Sequence, residues 1–204
     1  MGAHNGNGKG NGKQPRAGDA LLIVDVQNDF LPGGNLPVPR GDEVVPVLNR
    51  YIHVFHVKGL PIYATRDWHP PHHCSFQAQG GQWPQHCVAG SAGARFNSEL
   101  HLPLSAVVIS KATTAEADAY SGFQGTDLDG QLCSSGIKRL FIGGLATDYC
   151  VLNTVRDALQ RGYKVLLLID AIRAVEVQKG DGMRAVEEMN SLGAKSISVG
   201  NVSA

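Results

Sequence analysis

The sequence predicts a three-layer α/β/α domain on a mostly parallel sheet of about six strands. Three observations predict it. Six short apolar runs, at residues 20–24, 62–64, 106–109, 139–142, 164–169 and 195–199, punctuate the chain. They lack the polar alternation of a half-wet sheet, so both faces of each are expected to be covered, as in parallel sheets. Segments with apolar residues at helical spacing lie between them, and strand–helix alternation produces layers of this kind.

Taken in order, the run 20–24 ends at Asp25. A helix follows in which Val44, Leu48, Tyr51, Ile52 and Phe55 share a face, with Asp42 as the expected cap and Pro46 tolerated in the first turn. His53 and His56 lie on this helix, where surface or edge positions are expected. The runs 62–64 and 106–109 lead to Asp67 and Lys111. Between them, residues 66–104 carry Pro, Gly, His and Cys without a long periodic segment, and loops of that length in a compact domain are usually functional. The run 139–142 leads to Leu145-Ala146-Thr147-Asp148-Tyr149-Cys150, then to a helix bearing Leu152, Val155 and Leu159 and closed by Gly162. A last helix, 181–192, ends at Gly193 before the final strand.

Composition narrows the class. The 204 residues suit one domain that needs no staples, and four cysteines are too sparse for a secreted disulfide scaffold. Basic and acidic residues number 18 each, which leaves no electrostatic footprint for nucleic acid. No apolar stretch spans a bilayer and no targeting signal is expected at either end, so the expectation is a cytoplasmic protein without membrane or nucleic-acid partners, open to homo-oligomerisation. Residues 1–18, rich in Gly, Asn and Lys, are read as a disordered tail. Residues 19–204 are read as the single domain.

In open parallel sheets ligands bind at the carboxyl ends of the strands. Asp25, Asp67, Lys111 and Cys150 all fall at such ends. A thiol in the first turn of a helix has unpaired N–H groups and the positive end of the helix dipole beside it, which favours thiolate. Asp25 is placed to take the thiol proton and return it to a leaving amine, and Lys111 to steady the developing negative charge. Cys74, Cys87 and Cys133 are expected to be buried thiols. Asp67 and His69, at i and i+2 of an extended segment, point the same way, and His86 returns from the loop to complete a three-ligand metal site. His73 or the Ser75 hydroxyl is a candidate fourth ligand. Such donors suit one divalent ion, zinc first, with iron and manganese as alternatives.

Asp25-Val26-Gln27-Asn28-Asp29-Phe30, Asp67-Trp68-His69-Pro70, Trp83-Pro84-Gln85-His86-Cys87-Val88, Lys111, Tyr120-Ser121-Gly122-Phe123 and the segment 145–151 together resemble nicotinamidases of the isochorismatase-like hydrolase superfamily. The likeness runs from about residue 20 to the C-terminus. It implies a catalytic set of Asp25, Lys111 and Cys150, and a metal at Asp67, His69 and His86 that anchors the ring nitrogen of the small-molecule substrate nicotinamide. It further implies Phe30, Trp83 and Tyr120 around the ring, backbone N–H groups of Ala146 and Cys150 as oxyanion hole, and a cis peptide at Leu145–Ala146. Deamidation to nicotinate, a step of NAD salvage, follows through a thioester on Cys150.

Rival readings are weaker. A cysteine phosphatase loop needs an arginine six positions after the thiol; Gly93 stands there after Cys87, and Arg156 follows Cys150 only along a helix, where i and i+6 diverge. A non-catalytic metal-binding protein has no use for the full Asp25, Lys111 and Cys150 set. An isochorismatase-like hydrolase of another amide has no need of the metal loop.

Overall fold

Strands β1 (Asp19–Val24), β2 (Ile62–Asp67), β3 (Val107–Lys111), β4 (Arg139–Leu145), β5 (Lys164–Arg173) and β6 (Lys195–Ile197) form one sheet in the order β3-β2-β1-β4-β5-β6. Every neighbouring pair runs parallel. The computed structural model describes residues 13–203. Of the expected tail, residues 1–12 lie outside the described residues; further along, the Gln14 carbonyl accepts from Arg139 and its side chain contacts Asn201 and Ser203. Among the described residues, no helix is long and apolar enough to cross a membrane.

Two apolar layers cover the sheet. On one face Leu21, Ile23 and Phe141 meet Leu48, Tyr51 and Phe55 of α1 (Val44–Val57). On the other, Leu22, Ile142 and Leu167 meet α2 (Leu128–Ser134), α3 (Leu152–Gln160) and α4 (Asp181–Ser191) through Leu132, Val155 and Met189. The result is the three-layer α/β/α architecture. α2 has no counterpart in the sequence reading, because it is short and interrupted by Gly130. Asp42 is not the cap of α1: residues Gly41–Glu43 form a tight 3₁₀ turn that runs directly into the helix, and the Asp42 carbonyl accepts from Val44.

Chain order reverses direction across the sheet between β1 and β4, so the crevice at their carboxyl ends is a topological switch point. At that crevice Gly144 has φ +125°, and a Cβ there would lie 2.1 Å from the Val24 carbonyl oxygen. Only glycine lets the two strand ends approach this closely.

Candidate active site

The strand register brings the chemical groups together. Asp67 and Lys111 are partners in the β2–β3 ladder, and Val24 is paired with both Thr65 and Gly144. Asp25 follows in the left-handed region at φ +50°, a conformation that a non-glycine residue holds only under constraint. It donates its backbone N–H to the Thr65 carbonyl, and its Oδ1 accepts from the Thr65 hydroxyl at 2.6 Å. β4 ends in the cis Leu145–Ala146 peptide, and a π-helical turn, Thr147–Val151, carries Cys150 ahead of α3.

Lys111 Nζ is the hub. It lies 3.0 Å from Asp25 Oδ2, hydrogen-bonds Asp67 Oδ1, donates to the Ala119 carbonyl at 2.9 Å and lies 3.6 Å from Cys150 Sγ. All four side chains are buried. Asp25 Oδ2 receives the lysine's charge but no directed hydrogen bond, which leaves it free to accept a proton. Burial would lower the Lys111 ammonium, yet Asp25 and Asp67 hold its pKa well above the ordinary value. Burial lifts the Asp25 carboxyl, with Lys111 opposing. Burial likewise pushes the Cys150 thiol well up, again with Lys111 opposing and the two carboxylates adding to the rise. Burial and the two carboxylates thus work against the thiolate that the helix terminus favours, and Lys111 works for it. Asp25 stands beside the thiol as a group that can take its proton.

Asp67, His69 and His86 bring one ligand atom each to within 4.8 Å of one another. Burial works against ionisation of Asp67, but the Lys111 ammonium and His69 hold its carboxyl below the ordinary range. His69 Nδ1 faces the Ala112 carbonyl at 3.2 Å and His86 Nδ1 faces the Pro84 carbonyl at 2.8 Å. Both carbonyls require Nδ1–H, so each Nε2 is left with an open lone pair. His69 Nε2 is buried without a hydrogen-bond partner. Burial lowers the His86 pKa, favouring the neutral imidazole that ligation requires. An orphaned imidazole nitrogen beside a carboxylate and a second open imidazole fits a divalent cation. His73 differs. Its Nε2 faces the Ala117 carbonyl and its Nδ1 faces the Ser75 hydroxyl at 2.7 Å, so both ring nitrogens are occupied.

Between the two clusters opens a largely apolar pocket lined by Phe30, Trp83, Tyr120, Tyr149, Ala146 and Cys150, and also by Asp67, His69, Ser75 and His86. The Trp83 and Tyr149 rings meet edge-on at 5.1 Å, and Trp83 Nε1 donates to the Tyr120 hydroxyl at 3.0 Å. The sequence reading did not single out Tyr149, although it lies inside the motif quoted around Cys150. Gln27 and Asp29 lie inside the motif quoted from Asp25 to Phe30 and carry no separate signal in the sequence. Gln27 grips both the N–H and the carbonyl of Asp67, while the Asp29 carboxylate accepts from the Cys87 and Asn35 amides. Cys87 is buried as expected, but Cys74 is half-buried and Cys133 is exposed; all four cysteines are free.

Residues 19–200 match the model of the isochorismatase domain. A nicotinamidase of Escherichia coli is 43% identical over 196 residues, covering 86% of this chain and 92% of that protein. Among solved structures, the pyrazinamidase of Pyrococcus horikoshii in complex with zinc superposes with a TM-score of 0.86 at 51% identity, over 89% of this chain and 99% of that one. PnC1 of L. infantum in complex with nicotinate gives 0.83 at 38% identity, over 92% and 96%.

Proposed function

The chain belongs to the isochorismatase family, and on that premise we propose that it is a metal-dependent amidase that converts nicotinamide to nicotinate and ammonia. One observation carries the reading: Asp25, Lys111 and Cys150 converge around a buried ammonium directly beside an imidazole–carboxylate cluster with open lone pairs. A cysteine phosphatase needs a cationic cradle for a phosphate dianion, which the buried Asp25 and Asp67 carboxylates beside Cys150 would repel, whereas an amidase needs a group that takes a proton and then gives it to ammonia.

Asp67, His69 and His86 are the residues we assign to the ion, with the Ser75 hydroxyl as fourth ligand. His73, with both nitrogens occupied, braces Ser75 instead. Zinc is the assignment we favour: the donor set suits it, and the Pyrococcus relative binds it. When bound, the ion supplies a Lewis-acid anchor for a heteroaromatic ring nitrogen. Phe30, Trp83 and Tyr120 hold the ring flat, and the carboxamide then reaches Cys150.

Asp25 Oδ2 takes the thiol proton as Cys150 Sγ attacks the amide carbon. Lys111 holds the resulting charge in place, and the N–H groups of Ala146 and Cys150 are assigned to the oxyanion. Asp25 passes the proton to the departing ammonia, leaving a thioester on Cys150. The carboxylate then removes a proton from water, which attacks the thioester, releases nicotinate and restores the thiol. We assign this chemistry to one hydrolase domain, residues 19–204, whose metal-binding loop spans about 66–104. The test is ammonia release from nicotinamide against phosphate release from p-nitrophenyl phosphate, before and after chelation. Chelator-sensitive ammonia release without phosphate release is the expected result, and phosphate release without ammonia overturns the reading.

A further inference from the structure

The loop between β5 and α4 is held by three carboxylates, of Glu43, Asp148 and Glu176, that the proposed chemistry does not use. Asp148, two residues before Cys150 on the π-helical turn, accepts the Val175 N–H on Oδ1 at 2.9 Å and the Glu176 N–H on Oδ2 at 3.0 Å. Glu176, in the left-handed region at φ +59°, accepts in turn from Gly180 and Gly182 at the start of α4, at 2.7 and 2.9 Å. At the loop's other end Arg173 reaches Glu43 at 2.7 and 3.1 Å. The loop is a strap tied at both ends and pinned in the middle.

What the strap presents is Val175. Its side chain is half-buried, packs on the apolar layer that contains Leu145 and Ala146, and lines the same pocket as Trp83, Tyr149 and Cys150. Glu176 and Val177 next to it are exposed, so one residue of this stretch turns inward. A β-branched side chain has few rotamers to yield, and its backbone N–H is fixed from the turn that bears the nucleophile. Wall and nucleophile are thus held in one frame.

We infer that Val175 is a size-selecting wall of the ring pocket and that Asp148 is the positioning residue that sets it. The inference rests on the amidase reading and adds to it a determinant of which ring-substituted carboxamides are admitted. Two carboxylate–amide bonds from Asp148 fix the strap's height over the ring, so loosening them widens the pocket without touching Asp25, Lys111 or Cys150.

Steady-state hydrolysis of nicotinamide and of its isomeric ring-methylated derivatives, by the metal-loaded protein, tests this. Val175→Ala is expected to raise kcat/KM for at least one methylated isomer relative to nicotinamide by about tenfold, the range one methyl group commands in an apolar pocket. Asp148→Asn keeps one acceptor oxygen, and should raise KM for nicotinamide more than it lowers kcat while shifting selectivity toward the same isomer. In the doubly substituted protein the selectivity shift should equal that of Val175→Ala alone, because Asp148 acts through Val175. A general loss of stability would scale all substrates together and leave the ratio unmoved. Unchanged selectivity in an active Val175→Ala protein overturns the wall, and full additivity overturns the role of Asp148. Failure of the unmodified protein to release ammonia from nicotinamide is a separate result that overturns the amidase reading itself.

Discussion

Asp25, Lys111 and Cys150 take their places from the sheet, whereas His69 and His86 take theirs from an irregular segment. Lys111 is the last residue of β3, Asp25 the first after β1, and Cys150 sits in the turn that leaves β4. Ladder hydrogen bonds set where the three strands end, with the Thr65 hydroxyl holding the Asp25 carboxylate and the turn after β4 carrying Cys150. Beyond Asp67 the loop half has isolated backbone bridges, such as His69 to Val88, in place of a ladder and is otherwise clamped by side chains: Gln27 on Asp67 and the Ala94 carbonyl, Asp29 on Cys87 and Asn35, His73 on Ser75. The contrast teaches that one half of the site is robust in geometry and costly in electrostatics. The other half carries less buried charge and depends on individual polar bonds.

The sharpest way to separate the halves is to delete the nucleophile. Cys150→Ala is expected to lower ammonia release by on the order of 10⁴-fold or more while the metal stays bound. Metal content measured beside activity checks this, and loss of the ion from that variant would mean that the halves are one unit. The next effect falls on stability. Lys111→Met removes the ammonium from between Asp25 and Asp67, and stripping one partner from a buried ionic cluster typically costs about 3–5 kcal/mol. Denaturant unfolding reads it. Adding Asp25→Asn to Lys111→Met should recover part of the loss, because it removes a charge left without its counterion.

The same contrast decides what the sequence disclosed. Strand ends are legible, since an apolar run stops where a polar residue begins, and so Asp25, Asp67 and Lys111 stand out from residues alone. The pairing of Asp67 with His69 follows from the two-residue period of extended chain. The loop clamps are not legible, because Gln27 and Asp29 act on segments 40 to 67 positions away in the chain. Likewise His73 could be set apart from Ser75 only once Ala117, 44 residues on, was seen to occupy its second nitrogen. The groups that oppose a Cys150 thiolate are hidden for a related reason: a helix terminus is visible in a sequence, but full burial beside two carboxylates is not.

If clamps hold the loop half, loosening one should weaken the ion before it weakens the chemistry. His86→Ala, which removes a ligand assigned here, is expected to lower metal content first and activity with it. Gln27→Ala leaves every assigned ligand in place but frees the backbone of Asp67. Lost outer-shell support of this kind typically costs about 10–100-fold in metal affinity. Titration with zinc after chelation measures it, and recovery of full activity at saturating zinc would confine the damage to the loop. An affinity equal to that of the unmodified protein would instead show that the β2–β3 ladder alone orients Asp67.

The smallest effect concerns protons. Burial lowers the pKa of both His73 and His86 below the ordinary histidine value of 6.5. In the unfolded chain these side chains take up protons as pH falls through that value, while in the folded protein they stay neutral to lower pH. The unfolded state then binds more protons, so stability must decline with falling pH from about 6.5 downward, until the folded histidines protonate as well. Unfolding curves across this range, with and without chelator, check the sign. His73→Gln keeps a donor toward Ala117 and an acceptor toward Ser75 while removing one of the titrating groups, so it should flatten the decline. A decline of unchanged slope in that variant would place the sensitivity on His86 rather than His73, since the catalytic half, where the Asp25 carboxyl is raised, cannot supply it. There the folded state is the one that holds the proton, and stability would move the opposite way, falling as pH rises from the ordinary carboxylate range toward the raised value. The two halves thus pull in opposite directions with pH, and the sign of the slope tells them apart.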